Sequence, residues 1–143
     1  IIVETDDALL VCDMKRSQDV KKLVETLKRE DRHEYKFHTR VMRPWGSATT
    51  ILENKFYRIR ILEIMPGKSM SLQRHQQRSE HWVVLQGIAD VQRGEEKVFL
   101  KENESAYIPI GMPHRLGNSE KNPLQIIEVQ QGQYLGDDDI ERL

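Results

Sequence analysis

Two imidazoles, one carboxylate and one amide stand in this chain at spacings that allow them to converge on a single cation. Gly67 is followed after five residues by Gln73, after one more by His75, after four more by Glu80 and after six more by Gly87. Farther along, Pro109, Gly111, His114 and Asn118 are separated by one, two and three residues. Side chains on a strand alternate between faces, so Gln73 and His75 share a face and Arg74 takes the other. Glu80 lies five residues past His75, the wrong parity for one continuous strand. The polar insert 76–79 therefore predicts a turn that returns Glu80 to the inside. His114 comes from a distant strand, after the turn at Gly111-Met112-Pro113. A mixed nitrogen and oxygen donor set suits Zn, Mn, Co, Ni or Fe(II), and four protein ligands leave positions for water or substrate. The alternative is a metal-free interior in which the four residues hydrogen-bond one another. His33, His38 and His81 are read as surface residues, His81 because its parity is opposite to that of Glu80.

These residues need elements to hold them. From Val41 onward, β-branched and aromatic residues alternate with Gly, Pro and Asn punctuation. Strands are predicted at 48–52, 57–65, 69–75, 80–86, 88–93, 97–101, 106–108, 114–116 and 124–130. A hairpin turn is predicted at Arg93-Gly94-Glu95. Many short, regularly spaced strands argue for a closed or double-sheet β architecture. The first part differs in texture. Residues 8–12 read as a short strand, and Ser17 as a helix cap with Asp19 in the first turn. Val20, Leu23, Val24 and Leu27 then form one apolar face of a helix over 18–30. Residues 30–38 are charged and aperiodic, a linker. The tail, 134–143, reads as a loop with an acidic helical turn.

Composition narrows the partners. The 143 residues suit one domain and an appendage, and 22 basic residues nearly balance 23 acidic ones. That balance gives no electrostatic case for nucleic acid or an anionic membrane. Cys12 is the single cysteine, which points to a reducing compartment and hence the cytoplasm. No apolar run approaches the roughly 18 residues of a membrane span.

The two spaced sets resemble the paired motifs of the cupins, with Gln73 at a position where His is usual. The surrounding words resemble a narrower group. These are Arg43-Pro44-Trp45-Gly46, Ser71-Leu72-Gln73-Arg74-His75, Arg78-Ser79-Glu80-His81-Trp82, Tyr107-Ile108-Pro109-Ile110-Gly111, Pro113-His114-Arg115-Leu116 and Ile127-Glu128-Val129-Gln130, followed by Tyr134-Leu135-Gly136 and Asp138-Asp139-Ile140. Together they are similar to the C-terminal domain of type II mannose-6-phosphate isomerases, which in bacteria usually follows a mannose-1-phosphate guanylyltransferase domain. The family usually has Gly where this chain has Asn103.

The resemblance implies an all-β cupin double-stranded β-helix, a jelly-roll barrel over 36–143, behind a strand-helix appendage over 1–35 from a guanylyltransferase-like region. It implies metal-dependent interconversion of mannose 6-phosphate and fructose 6-phosphate, on the way to GDP-mannose and surface polysaccharide. A Gln-His-Glu-His ligand set is also what isomerases of the other type use. The carbon proton needs a base: Glu128 on the last strand, or a hydroxide on the metal. The phosphate needs a cation, preferably Arg. Arg78, expected in the turn between ligand strands, is the first choice, with Arg115, Arg60 and Lys68 behind it. Trp45 and Trp82 are expected as packing or as a wall for the sugar ring. Exposed strand edges point to a homodimer. The alternatives are a non-catalytic sugar-binding or dimerisation module, or another metal cupin enzyme.

Overall fold

The computed structural model describes residues 1–4, 8–30, 32 and 40–143. His33, His38 and the expected boundary at 35/36 lie outside the described residues. Contacts divide the chain into two units, Ile1–Arg40 and Val41–Leu143.

In the first unit, β1 (Ile2–Glu4) pairs antiparallel with β2 (Leu9–Val11). A 3-10 helix, Met14–Asp19, occupies the place of the expected first helical turn. Its cap is Asp13, whose side chain accepts from Lys15 N at 2.8 Å, rather than Ser17. An Asp carboxylate one residue before the turn reaches an orphan N–H that Ser17, inside the helix, does not. The α-helix α1 (Val20–Arg29) follows, with no fully buried residue.

The second unit carries β3 (Arg40–Arg43), β4 (Gly46–Glu53), β5 (Tyr57–Ile64), β6 (Gln73–His75), β7 (Arg78–Gln86), β8 (Ala89–Arg93), β9 (Glu96–Leu100), β10 (Ser105–Ile108), β11 (His114–Gly117), β12 (Leu124–Gly132) and β13 (Ile140–Arg142). They form a six-stranded sheet ordered β10-β7-β12-β5-β4-β3 and a five-stranded sheet ordered β13-β6-β11-β8-β9. Strand β12 shows why: Leu124, Ile126, Glu128 and Gln130 are buried, and the residues between them are half-buried. Period-two burial is the mark of a strand with one face on a core. Leu62, Ile64, Val84, Leu124 and Ile126 from one sheet meet Ala89, Val91 and Leu116 from the other. Each large apolar side chain so buried contributes about 1.5–3 kcal/mol.

Two turns position the site. Gly111 has φ 77° and donates its N–H to the His75 carbonyl at 2.7 Å, tying the loop before His114 to the end of β6. Gly suits this left-handed backbone at no steric cost. Asn103 also has a positive φ, 67°, the one non-Gly residue among those described to do so, and Asn tolerates that region better than most.

The expected strand 69–75 is regular only over 73–75, and the strand expected from 80 begins at Arg78. The tail forms a 3-10 turn, Asp137–Asp139, and then β13, which pairs with β6. A helical period cannot be read from so short a segment; its strand is made by the partner across the sheet edge.

Candidate metal centre

Gln73 and His75 are consecutive inward positions of β6 and both are buried. A tight bend at 76–77 follows, held by the Asp139 carboxylate, which accepts from Gln76 N at 3.1 Å and Gln77 N at 3.2 Å. Strand β7 then brings Arg78 and Glu80 inward on the same face. His114 opens β11, directly opposite Gln73 in the ladder. The metal-capable atoms of His75, Glu80 and His114 all lie within 4.8 Å of one another.

The donor atoms are prepared for a cation. His114 Nδ1 lies 2.8 Å from the Met112 carbonyl. That partner holds the ring proton on Nδ1 and leaves the Nε2 lone pair free. His114 Nε2 and both ring nitrogens of His75 are buried without a hydrogen-bond partner. His75 Nε2 lies 3.0 Å from Glu80 Oε1 but is not aligned to donate to it. Buried polar atoms are rarely left unsatisfied, so this cluster fits a bound divalent metal better than a self-contained hydrogen-bond network. Burial lowers the His114 pKa, although Glu80 and the Met112 carbonyl oppose the shift. For Glu80, burial alone would raise the pKa; His75, His114 and Arg60 outweigh it and hold the carboxyl below its usual range. A lowered His114 pKa favours the neutral ring that metal ligation requires, and an ionised Glu80 carboxylate serves the same end.

Above the donors is a cavity of about 440 Å³ lined by Gln73, His75 and Glu80 together with Arg43, Trp45, Arg60, Arg78 and Arg142. Arg60 pairs with Glu128 at 2.6 Å. Burial works against the Arg60 charge, but Glu128 and then Glu80 raise its pKa overall. Arg78 does not sit in a turn at the mouth, as the sequence led one to expect. Two residues before Glu80 on one strand, it takes the same inward face, donates to the Gly136 carbonyl at 2.8 Å and lies 3.5 Å from Asp139. Burial lowers its pKa, against the opposing charges of Glu80 and Asp139.

Glu128 is fully buried and does not line this cavity. One oxygen is held by Arg60 and the other lies 3.4 Å from the Trp82 indole nitrogen. A base acting on a sugar carbon has to reach the cavity surface, so the geometry gives Glu128 a different position from the one expected. Burial, with Glu80 adding, pushes Glu128 up to about 7, despite Arg60. Lys68 and Arg115 are exposed and line a separate cavity of about 610 Å³ on the outer face of the five-stranded sheet, with Gln92, Lys97 and Phe99. Arg115 follows the inward His114 and so points outward. His81 is exposed, its ring 4.6 Å from that of Tyr107.

Sequence reading missed Arg43, Asp137 and Arg142. Arg43 reaches Asp137 at 2.7 Å. Arg142 shares the inner side of β13 with Ile140, and both line the cavity. The available signal was the two-residue alternation Ile140, Arg142 in the tail.

A family model described as "Mannose-6-phosphate isomerase C-terminal" matches residues 30–143. The chain belongs to this family. Among relatives of this mannose-6-phosphate isomerase C-terminal domain, the xanthan biosynthesis protein XanB of Xanthomonas campestris is 48% identical over 142 residues, which is 99% of the chain and 30% of XanB. Mannose-1-phosphate guanylyltransferase RfbM of Salmonella typhimurium is 49% identical over the whole chain and 30% of its own length. The alginate biosynthesis protein AlgA of Pseudomonas aeruginosa is 46% identical, again over 30% of its length. The domain thus spans about 30% of the length of these relatives. In fold it is a cupin double-stranded β-helix. KdgF from Halomonas superposes at TM-score 0.63 with 17% identity, over 71% of this chain and 92% of KdgF. A sugar phosphate isomerase of the cupin superfamily from Silicibacter pomeroyi superposes at 0.55 with 16% identity, over 64% and 65%. Among the described residues no helix is long and apolar enough to cross a membrane.

Proposed function

We propose that this domain interconverts mannose 6-phosphate and fructose 6-phosphate with a divalent metal held by Gln73, His75, Glu80 and His114. On this reading it acts as one part of a longer cytoplasmic protein that also makes GDP-mannose for surface polysaccharide. The observation that carries the reading is the cluster of partnerless imidazole nitrogens around Glu80, at the floor of a cavity ringed by arginines.

An aldose–ketose isomerisation moves a proton between neighbouring carbons while negative charge develops on oxygen. A bound metal would act as a Lewis acid toward the sugar carbonyl. The chain supplies the rest. Arg60, charged at any working pH, adds positive potential beside the developing oxyanion. Glu128 keeps that guanidinium in place through their 2.6 Å contact. Arg78, braced by Gly136 and Asp139, stiffens the ligand strand and contributes charge. Arg43 and Arg142 line the same cavity and offer the planar fork that matches phosphate oxygens. Trp45, against the apolar core and lining the cavity, gives the sugar ring a flat wall. Lys68 and Arg115 line the other cavity and are not assigned to this site. A homodimer through exposed strand edges belongs to the same proposal, and gel filtration tests it.

The deciding experiment is a coupled assay of mannose 6-phosphate conversion with metal analysis of the same sample. Turnover lost to a chelator and restored by Zn, Co, Mn or Ni supports the reading. Full metal occupancy with sugar-phosphate binding but no turnover would leave a binding module instead.

A further inference from the structure

The inner face of the six-stranded sheet carries two polar rows that run across neighbouring strands. In one, Glu80 of β7 stands directly opposite Gln130 of β12; in the next, Trp82 stands opposite Glu128, which stands opposite Arg60 of β5. All of these residues are buried or nearly so. Gln130 Nε2 donates to Glu80 Oε1 at 2.9 Å, and Trp82 Nε1 donates to Glu80 Oε2 at 3.1 Å. The same indole N–H leans toward Glu128 Oε1 at 3.4 Å.

We propose that Trp82 and Gln130 are positioning residues that fix the rotation of the Glu80 carboxylate for metal binding. The inference rests on the metal centre proposed above. An ionised carboxylate has about four lone-pair sites and no donor. A protein donor on each oxygen pins the group about its last bond, and the remaining lone pairs are those presented toward the two imidazoles. His75 Nε2 lies 3.0 Å from Oε1 and His114 Nε2 lies 3.8 Å from Oε2. The orientation of the Gln130 amide is itself determined. Reversing it would set a carbonyl oxygen against Glu80 Oε1, two acceptors with no proton between them. Its own Oε1 stays buried without a partner, a cost that the fold carries at this position. Trp82 has a further task. Its N–H lies between two carboxylates, and Arg60 neutralises the farther one. The indole N–H thus serves both carboxylates, the nearer at 3.1 Å and the farther at 3.4 Å.

The test uses Co²⁺ and Zn²⁺ affinity, measured by visible absorption and by competition with a chromophoric chelator, on the full chain and on Gln130→Met and Trp82→Phe. Each variant is expected to bind 10–100-fold more weakly, the range typical for lost outer partners of metal ligands. A purely structural role would lower the melting temperature of the metal-free protein and leave the affinity of the folded fraction unchanged. Affinities within twofold of the parent in a folded variant overturn the proposal while leaving the metal centre intact. Should Trp82→Phe not fold, Gln130→Met decides alone, because its side chain is nearly isosteric. A parent chain that binds neither metal overturns both this inference and the proposed function.

Discussion

The inner face of the six-stranded sheet has two halves built on the same strands and opposite in chemistry. Toward one end, Val84, Ile126, Leu62 and Ala48 lie in one row across four strands, with Leu124 and Ile64 in the next. Toward the other end, the same strands carry Trp82, Glu128 and Arg60, then Glu80, Gln130 and Arg58. The apolar half is held by area removed from water, which is non-directional and tolerant of shape. The polar half has no such tolerance. Each charge there is covered by a partner at a defined place, and removing one partner strands the other in a low dielectric. The lesson is that one barrel separates its stability from its chemistry by position along the strand.

The contrast between the two halves is greatest at Arg60. Arg60→Met leaves Glu128 buried without its cation and, above pH 7 where Glu128 is ionised, should destabilise the fold by about 3–5 kcal/mol, as read by urea unfolding. Adding Glu128→Leu should recover most of that loss, because a well-packed apolar pair is often neutral or better, yet isomerase turnover should stay low. Recovery of turnover together with stability would show that the polar rows serve only the fold. In the apolar half, Leu62→Ala should cost about 2–5 kcal/mol and leave Co²⁺ affinity of the folded protein unchanged. A parallel fall in affinity would erase the division of labour.

A smaller effect concerns pH. The Glu128 pKa is raised from 4.5 to about 7 in the folded protein. Between those values the native state holds a proton that the unfolded chain has released, so stability should fall as pH rises through that window. It should level off above it. The difference in unfolding free energy between the metal-free parent and Glu128→Gln, followed across pH 4–8, isolates this contribution from that of His114, whose lowered pKa acts in the opposite sense. A difference that is flat with pH would contradict the raised value. The smallest effect is expected outside both halves. Arg74 and Glu141 pair at 2.7 Å on the exposed side of β6 and β13, and exposed pairs contribute little. Arg74→Ala should leave the melting temperature and turnover within error.

The convergence of His75, Glu80 and His114 was legible from spacing alone. Gln73 and His75 share a strand face by parity, and the turn that restores Glu80 follows from the polar insert 76–79. The placement of the cations was not. A two-residue difference in where β7 begins, 78 rather than 80, decides whether Arg78 lies in a turn or faces inward, and strand ends are weakly encoded. Arg115 and Lys68 carry the same unit charge as Arg60 and Arg142, and composition cannot say which face each will take. The acidic helical turn expected in the tail is the 3-10 turn Asp137–Asp139, but the strand after it went unread because β13 is only three residues long and exists through its pairing with β6.

By itself, then, the sequence determined the alternation of faces, the tight turns at Gly and Asn, and the ligand types, all set by chemistry within a few residues. Only the tertiary structure decided which charges meet. The pairing of Arg60 with Glu128 spans 68 positions, and that of Arg43 with Asp137 spans 94. No local rule reaches that far. Strand order and register bring such groups together, and the cost of burying an unpaired charge then makes the meeting matter.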